Sequence, residues 1–120
     1  MSIDDLEQEM RKQRRLEKLG SQNPFCVVCG ERDWRCLELH HIADHGCDPT
    51  TVILCANCHR KQTDAQKNHP PHIDGADPLL EAAGRFLLGL AELMKLLIEK
   101  LYEFGTALIE RAAAPAGEGA

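Results

Sequence analysis

The chain has no surplus of positive charge: 14 lysines and arginines stand against 19 aspartates and glutamates, a net charge of −5. No global field draws a polyanion toward it, so any nucleic-acid binding has to come from local patches. Long apolar runs are missing as well. Charges recur every few residues through the C-terminal third, and no clean stretch near ~20 residues reads as a membrane span. The N-terminus, Met1-Ser2-Ile3-Asp4-Asp5-Leu6, is acidic and has no apolar segment of the secretory kind, which sets the expectation of a cytoplasmic protein. At 120 residues the chain is too short for two independent cores.

Cysteine and histidine, by contrast, are plentiful, with six of each. In a chain of cytosolic character, such cysteines favour metal over disulfides. Cys26-Val27-Val28-Cys29 and Cys55-Ala56-Asn57-Cys58 are two Cys-x-x-Cys pairs with 25 residues between them. Each forms a tight knuckle, and together they can bring four thiolates to one tetrahedral structural zinc. Between the knuckles lies His40-His41. On a strand, adjacent side chains point to opposite faces, so these two imidazoles can take different jobs at one site, such as metal ligand and base. His59 follows the last knuckle cysteine and can reach back from the start of a helix. Cys36 and Cys47 remain over. With His45 and either His40 or His41 they make a competing second zinc scheme, at a spacing that matches no known knuckle.

Taken in order, residues 1–22 read as a charged N-terminal helix. Ser2 caps it with Asp5 at the third position, and acids precede bases along it in the sense the macrodipole favours. Residues 23–68 form the zinc module. Within it, alternation over 34–42 predicts a strand with Trp34, Cys36 and Glu38 on one side and Arg35, Leu37 and Leu39 on the other. Val52-Ile53-Leu54 predicts its partner strand, and a helix follows over 57–67. His69-Pro70-Pro71 ends that helix, and 69–78 is a linker whose His69 and His72 read as bland.

Asp77-Pro78 opens a long helix over 79–114, followed by a disordered tail at 115–120. Leu79, Ala83, Phe86, Leu90, Leu93 and Leu97 follow a 4-3-4-3-4 spacing, and an extra four-step leads to Leu101, Phe104 and Leu108. Leu80, Leu87, Met94, Ile98 and Ile109 broaden the stripe. Glu81, Arg85, Glu92, Lys95, Glu99, Glu103 and Glu110 share one narrow polar face. Well over half the circumference is apolar, which points to a homo-oligomer or a protein partner engaged through residues 79–111. A membrane surface is the competing cover, although a polar face with more acids than bases argues against anionic lipid.

Cys26-x-x-Cys29, Leu39-His40-His41-Ile42 and Leu54-Cys55-x-x-Cys58-His59-Arg60 together resemble the zinc-stabilised HNH endonucleases of phages and bacteria. The resemblance covers residues 23–67. It implies an α+β fold: a small ββα-metal module, in which a hairpin packs on a helix, here flanked by the N-terminal helix and the long C-terminal amphipathic helix. The implied activity is metal-dependent hydrolysis of DNA phosphodiester bonds. Carried over by position, His40 matches a metal ligand, His41 the general base and His59 a second metal ligand. These would hold Mg2+ or another divalent ion, separate from the structural Zn2+ on the four cysteines. Arg60 and Lys61, with Arg14 and Arg15 of the first helix, are the expected nucleic-acid contacts. Two positions depart from the family. Thr50 stands where an Asn is usual and becomes the substitute orienter of the base, and Thr63 stands where many members carry a further His. These departures keep a second reading open: a catalytically weakened zinc module acting in protein assembly or nucleic-acid binding.

Overall fold

A computed structural model describes residues 2–44 and 46–114; Met1, His45 and the tail expected at 115–120 lie outside the described residues. The first helix, α1, spans Ile3–Leu19. Its start is the expected capping box: the Asp5 N–H donates to Ser2 Oγ at 3.1 Å, and the Ser2 N–H donates to the Asp5 carboxylate at 3.3 Å. Gly20 ends it at φ 76°, a left-handed conformation that costs glycine little, and its N–H donates to the Leu16 carbonyl at 2.9 Å. Only Leu16 and Leu19, in the last turn, are buried, so most of the helix stands clear of the core.

The strand predicted from Trp34 begins later. The Asp33 side chain accepts the Arg35 N–H at 3.0 Å and starts a single 3-10 turn, Trp34–Cys36, which takes these residues out of the ladder. Strand β1 is Leu37–His41, and it pairs antiparallel with β2, Thr51–Cys55. The register runs from Leu37 opposite Cys55 to His41 opposite Thr51. Helix α2, Ala56–Gln66, follows β2 without a loop, and Cys55 is its N-cap, with Sγ accepting the Cys58 N–H at 3.4 Å. The second knuckle is therefore also the first turn of a helix.

Helix α3 spans Pro78–Ala113, 36 residues or about 54 Å. The Asp77 carboxylate accepts the Leu79 and Leu80 N–H groups at 2.9 and 3.1 Å, and Pro78 occupies the first turn, where no N–H is missed. Its packed ridge differs from the expected one. Arg85, Gly89 and Leu93 are the buried positions, while Leu79 and Ala83 lie in solvent. Arg85, which the sequence pattern puts on an exposed polar face, is enclosed because Asp44 at 3.3 Å and Glu81 at 3.1 Å neutralise it. Gly89 allows the approach: a Cβ there would collide with the carbonyl oxygen of Ile42. From Leu101 to Ala114 every residue is exposed.

The core is built around the cysteines. Leu37 and Leu54 are fully enclosed beside Cys26, Cys55 and Cys58, with Leu19 arriving from α1 and Leu93 from α3. Among the described residues the fold is thus a small mixed α+β unit with one two-stranded sheet. No helix among the described residues is long and apolar enough to cross a membrane.

Candidate functional site

Two centres lie toward opposite ends of the hairpin. At the Leu37–Cys55 end, the sulfurs of Cys26, Cys29, Cys55 and Cys58 all lie within 4.8 Å of one another. Cys29 and Cys55 Sγ are 3.6 Å apart, close to the ~3.8 Å edge of a tetrahedron of ~2.3 Å zinc–sulfur bonds. Gly30, at φ 80°, closes the first knuckle by donating its N–H to the Cys26 carbonyl at 2.9 Å. Burial pushes the Cys26 thiol up, but N–H groups of Cys29, Cys55 and Val28 outweigh it and bring the thiol down to about 7. Burial raises Cys29 and Cys58. A ring of soft sulfur donors with one thiol already near ionisation fits a zinc ion, which deprotonates such ligands on binding. Among the described residues this is the only place where three or more His, Cys, Asp or Glu ligand atoms come so close. Of the competing scheme, Cys36 is exposed and Cys47 is half-buried outside this cluster, and His45 lies outside the described residues.

At the other end, His40, His41 and His59 line one cleft of about 360 Å3, with Asp44, Thr63 and Gln66. Adjacent strand positions separate the first two as expected: His40 is 3% exposed and His41 faces solvent. The His40 and His59 rings meet edge to face with centroids 5.1 Å apart. Burial, together with the neighbouring His59 and His41, holds the His40 imidazole down at about 4. Its ring is therefore neutral near pH 7, the state that ligates metal. His59 Nδ1 also lies 3.6 Å from a Glu38 carboxylate oxygen. Gln66 bridges the cleft: its Nε2 donates to the His41 and Ile42 carbonyls at 3.3 and 3.2 Å and sits 3.5 Å from His40 Nε2.

His59 also borders a larger cleft of about 900 Å3, lined by Glu38, Arg60, Lys61, Asp64 and Lys67 among others. Arg60 and Lys61 thus share this larger cleft with His59, while His40 and His41 do not line it. Arg14 and Arg15 do not line either cleft; Arg14 Nε donates to the Met10 carbonyl of its own helix at 3.4 Å. Thr50 is exposed, its N–H taken by Asp48 at 2.8 Å and its carbonyl by the Ile42 N–H at 3.2 Å, and it does not line the histidine cleft.

Sequence reasoning misses the residues that tie α2 and the segment after it to α3 and to Asp44 of the histidine cleft. His69, bland by its place beside two prolines, is almost enclosed, with Nε2 3.4 Å from Glu92 and Nδ1 4.0 Å from Asp44. His72 Nδ1 lies 2.8 Å from Glu81. Gln62, 1% exposed, donates to the Glu92 carbonyl at 2.9 Å and ties α2 to α3. The i, i+7 spacing of His59 and Gln66, which puts both on one helix face, is the available signal for Gln66. For His69 and Arg85 no local signal exists. No family model matches the chain, and neither a curated protein nor a solved structure matches it.

Proposed function

We propose that this chain is a metal-dependent endonuclease of the HNH type that hydrolyses DNA phosphodiester bonds. One observation carries the reading: three imidazoles from two elements, His40 and His41 of β1 and His59 of α2, line a single cleft, two of them in ring contact. The strand–strand–helix order around them and the sulfur cluster that pins the hairpin to α2 support it. His40 and His59 are the residues that would hold a catalytic Mg2+ or similar divalent ion. When bound, such an ion stabilises the charge that grows on the phosphate and the leaving oxygen. His41, the exposed member, takes the proton of the attacking water as general base. Arg60, Lys61 and Lys67 hold the DNA backbone in the adjoining cleft, a local patch that the acidic chain as a whole does not supply.

The second reading is a non-catalytic zinc module, and one observation favours it. The Gln66 amide stands 3.5 Å from His40 Nε2, where it competes with a metal for that nitrogen. Plasmid cleavage by the zinc-loaded protein, in Mg2+, Mn2+ or Ni2+ against EDTA, separates the two. The expected outcome is metal-dependent cutting that falls by ~10²–10⁴ in His41→Ala. No cutting with any metal, from protein that keeps its zinc and its fold, selects the module without chemistry.

A further inference from the structure

Helix α3 carries two apolar ridges, and the fold uses only one. Arg85, Gly89 and Leu93 face the module. Gly89 lies two residues, about 200°, from both Leu87 and Ala91, so those point the opposite way. On that outer side Leu80, Leu87, Met94, Leu101 and Leu108 recur every seven residues, each more than half exposed. Gly84, Ala91, Ile98, Gly105 and Ala112 interleave with them at the same period. The combined spacing alternates four and three without a break over the whole helix, the seam of a left-handed helix pair.

Two of the glycines make the seam more than a chance stripe. Glycine inside a helix costs about 0.5–1 kcal/mol relative to alanine. Gly89 has a reason within this chain, the Ile42 carbonyl; Gly84 and Gly105 have none, because a Cβ on either would meet nothing within 4 Å. Both fall on the outer seam, where close approach of another helix would give them one.

We propose that the outer face of α3 is where two copies of this chain pair, with their helices antiparallel and in full overlap. Orientation follows from the size pattern. A parallel pair sets like positions against each other, leucine on leucine and then glycine on glycine, which leaves alternate layers too thick and too empty. An antiparallel pair sets the large series against the small one. In full overlap Leu80 meets Ala112 of the second copy, Leu87 meets Gly105, Met94 meets Ile98, Leu101 meets Ala91 and Leu108 meets Gly84. The area is sufficient. The six large seam side chains and four flanking ones, Leu88, Tyr102, Phe104 and Ile109, are 39% to 75% exposed. At on the order of 100 Å2 each they offer about 1,000 Å2 per copy, against ~800 Å2 for a standard interface and a few hundred on an ordinary monomer. The inference goes beyond the nuclease reading and does not depend on it.

Sedimentation equilibrium of the full, zinc-loaded chain tests it. The expected species in the micromolar range is a dimer, twice 13.4 kDa. Ala91 and Leu101 are both exposed in the single chain, so Ala91→Lys and Leu101→Glu leave its fold and zinc content intact. Each alone weakens self-association by at least about tenfold. Mixed together they recover a heterodimer, because only the antiparallel register sets the introduced ammonium of one copy on the introduced carboxylate of the other. Gly105→Leu raises the helix propensity of the chain yet is expected to weaken the dimer, by leaving no room for Leu87 of the second copy. A chain that stays monomeric, or a dimer indifferent to Leu101→Glu, overturns the proposal. So does the absence of recovery in the mixture, which removes the antiparallel register. A monomer that instead co-sediments with phosphatidylcholine–phosphatidylglycerol vesicles assigns the face to lipid and overturns it as well.

Discussion

The sulfur cluster and the histidine cleft share one hairpin, yet they are held by different means. Each cysteine pair is positioned by its own four-residue turn, and backbone N–H groups of those turns point at the sulfurs. The geometry within each pair is local, and the Val27 N–H, donating to the Ile53 carbonyl at 3.1 Å, docks the first pair on β2, whose end carries the second. The histidine cleft has no such local frame. It depends on α2 crossing β1, on Gln66 tying the two, and on α3 bracing the segment after His41 through Gly89, Arg85 and Asp44. A knuckle can be recognised without its surroundings, whereas a cleft made of separated elements stands only when the whole fold does.

Removing a sulfur should have the largest effect. Structural zinc sites contribute ~10–16 kcal/mol of apparent binding energy that is also folding energy. Cys26→Ser, or a strong chelator on the wild type, is expected to abolish zinc binding and unfold both centres together, read by zinc release and loss of the near-UV signal. A cleft that kept its histidine environment after zinc loss would undo the contrast, by proving the cleft self-supporting.

Pushing α3 away is expected to separate the two centres. Gly89→Ala forces a Cβ into the Ile42 carbonyl, and relief by shifting the helix costs about 1–3 kcal/mol. Zinc stoichiometry should hold while the ring proton shifts of His40, one residue removed from the segment that α3 braces, move in an NMR spectrum. Equal loss of zinc would show that the Leu93 contact between α3 and the cysteine core is essential to the sulfur cluster as well.

A smaller effect belongs to Glu81. His72 beside it, and then Arg85, hold its carboxyl below the ordinary glutamate value of 4.5. A lowered folded-state value means that this stabilisation is fully present above the ordinary range and disappears as pH falls through the folded value. The wild type should therefore be slightly more stable to urea than Glu81→Gln at pH 7, and the difference should close in acid below pH 4.5. A gap that is unchanged in acid would mean that the side chain acts through packing alone. His41→Ala marks the end of the series, since an exposed side chain is expected to change stability by no more than ~0.5 kcal/mol while removing cleavage.

Much of the site's composition is legible in the sequence. The capping box at Ser2, the two knuckles and the Asp77-Pro78 start each lie within four consecutive residues, and local chemistry decides them. The start of β1 is not, because Asp33 captures the Arg35 N–H, a competition between side chain and ladder that alternation does not register. His69 escapes notice because its value comes from Glu92 and Asp44, both more than twenty residues away in sequence.

Spacing along a single turn, strand or helix was enough to settle the four sulfurs, the placing of His40 and His41 on opposite faces of a strand, and the existence and length of α3. It was not enough to settle which ridge of α3 is buried. A helix that is apolar around most of its circumference offers two such ridges to any partner, and spacing cannot rank them. Packing made the choice, where Gly89 admits the Ile42 carbonyl and where Asp44 can neutralise Arg85, and it is this choice that leaves the Leu80–Leu108 seam facing outward.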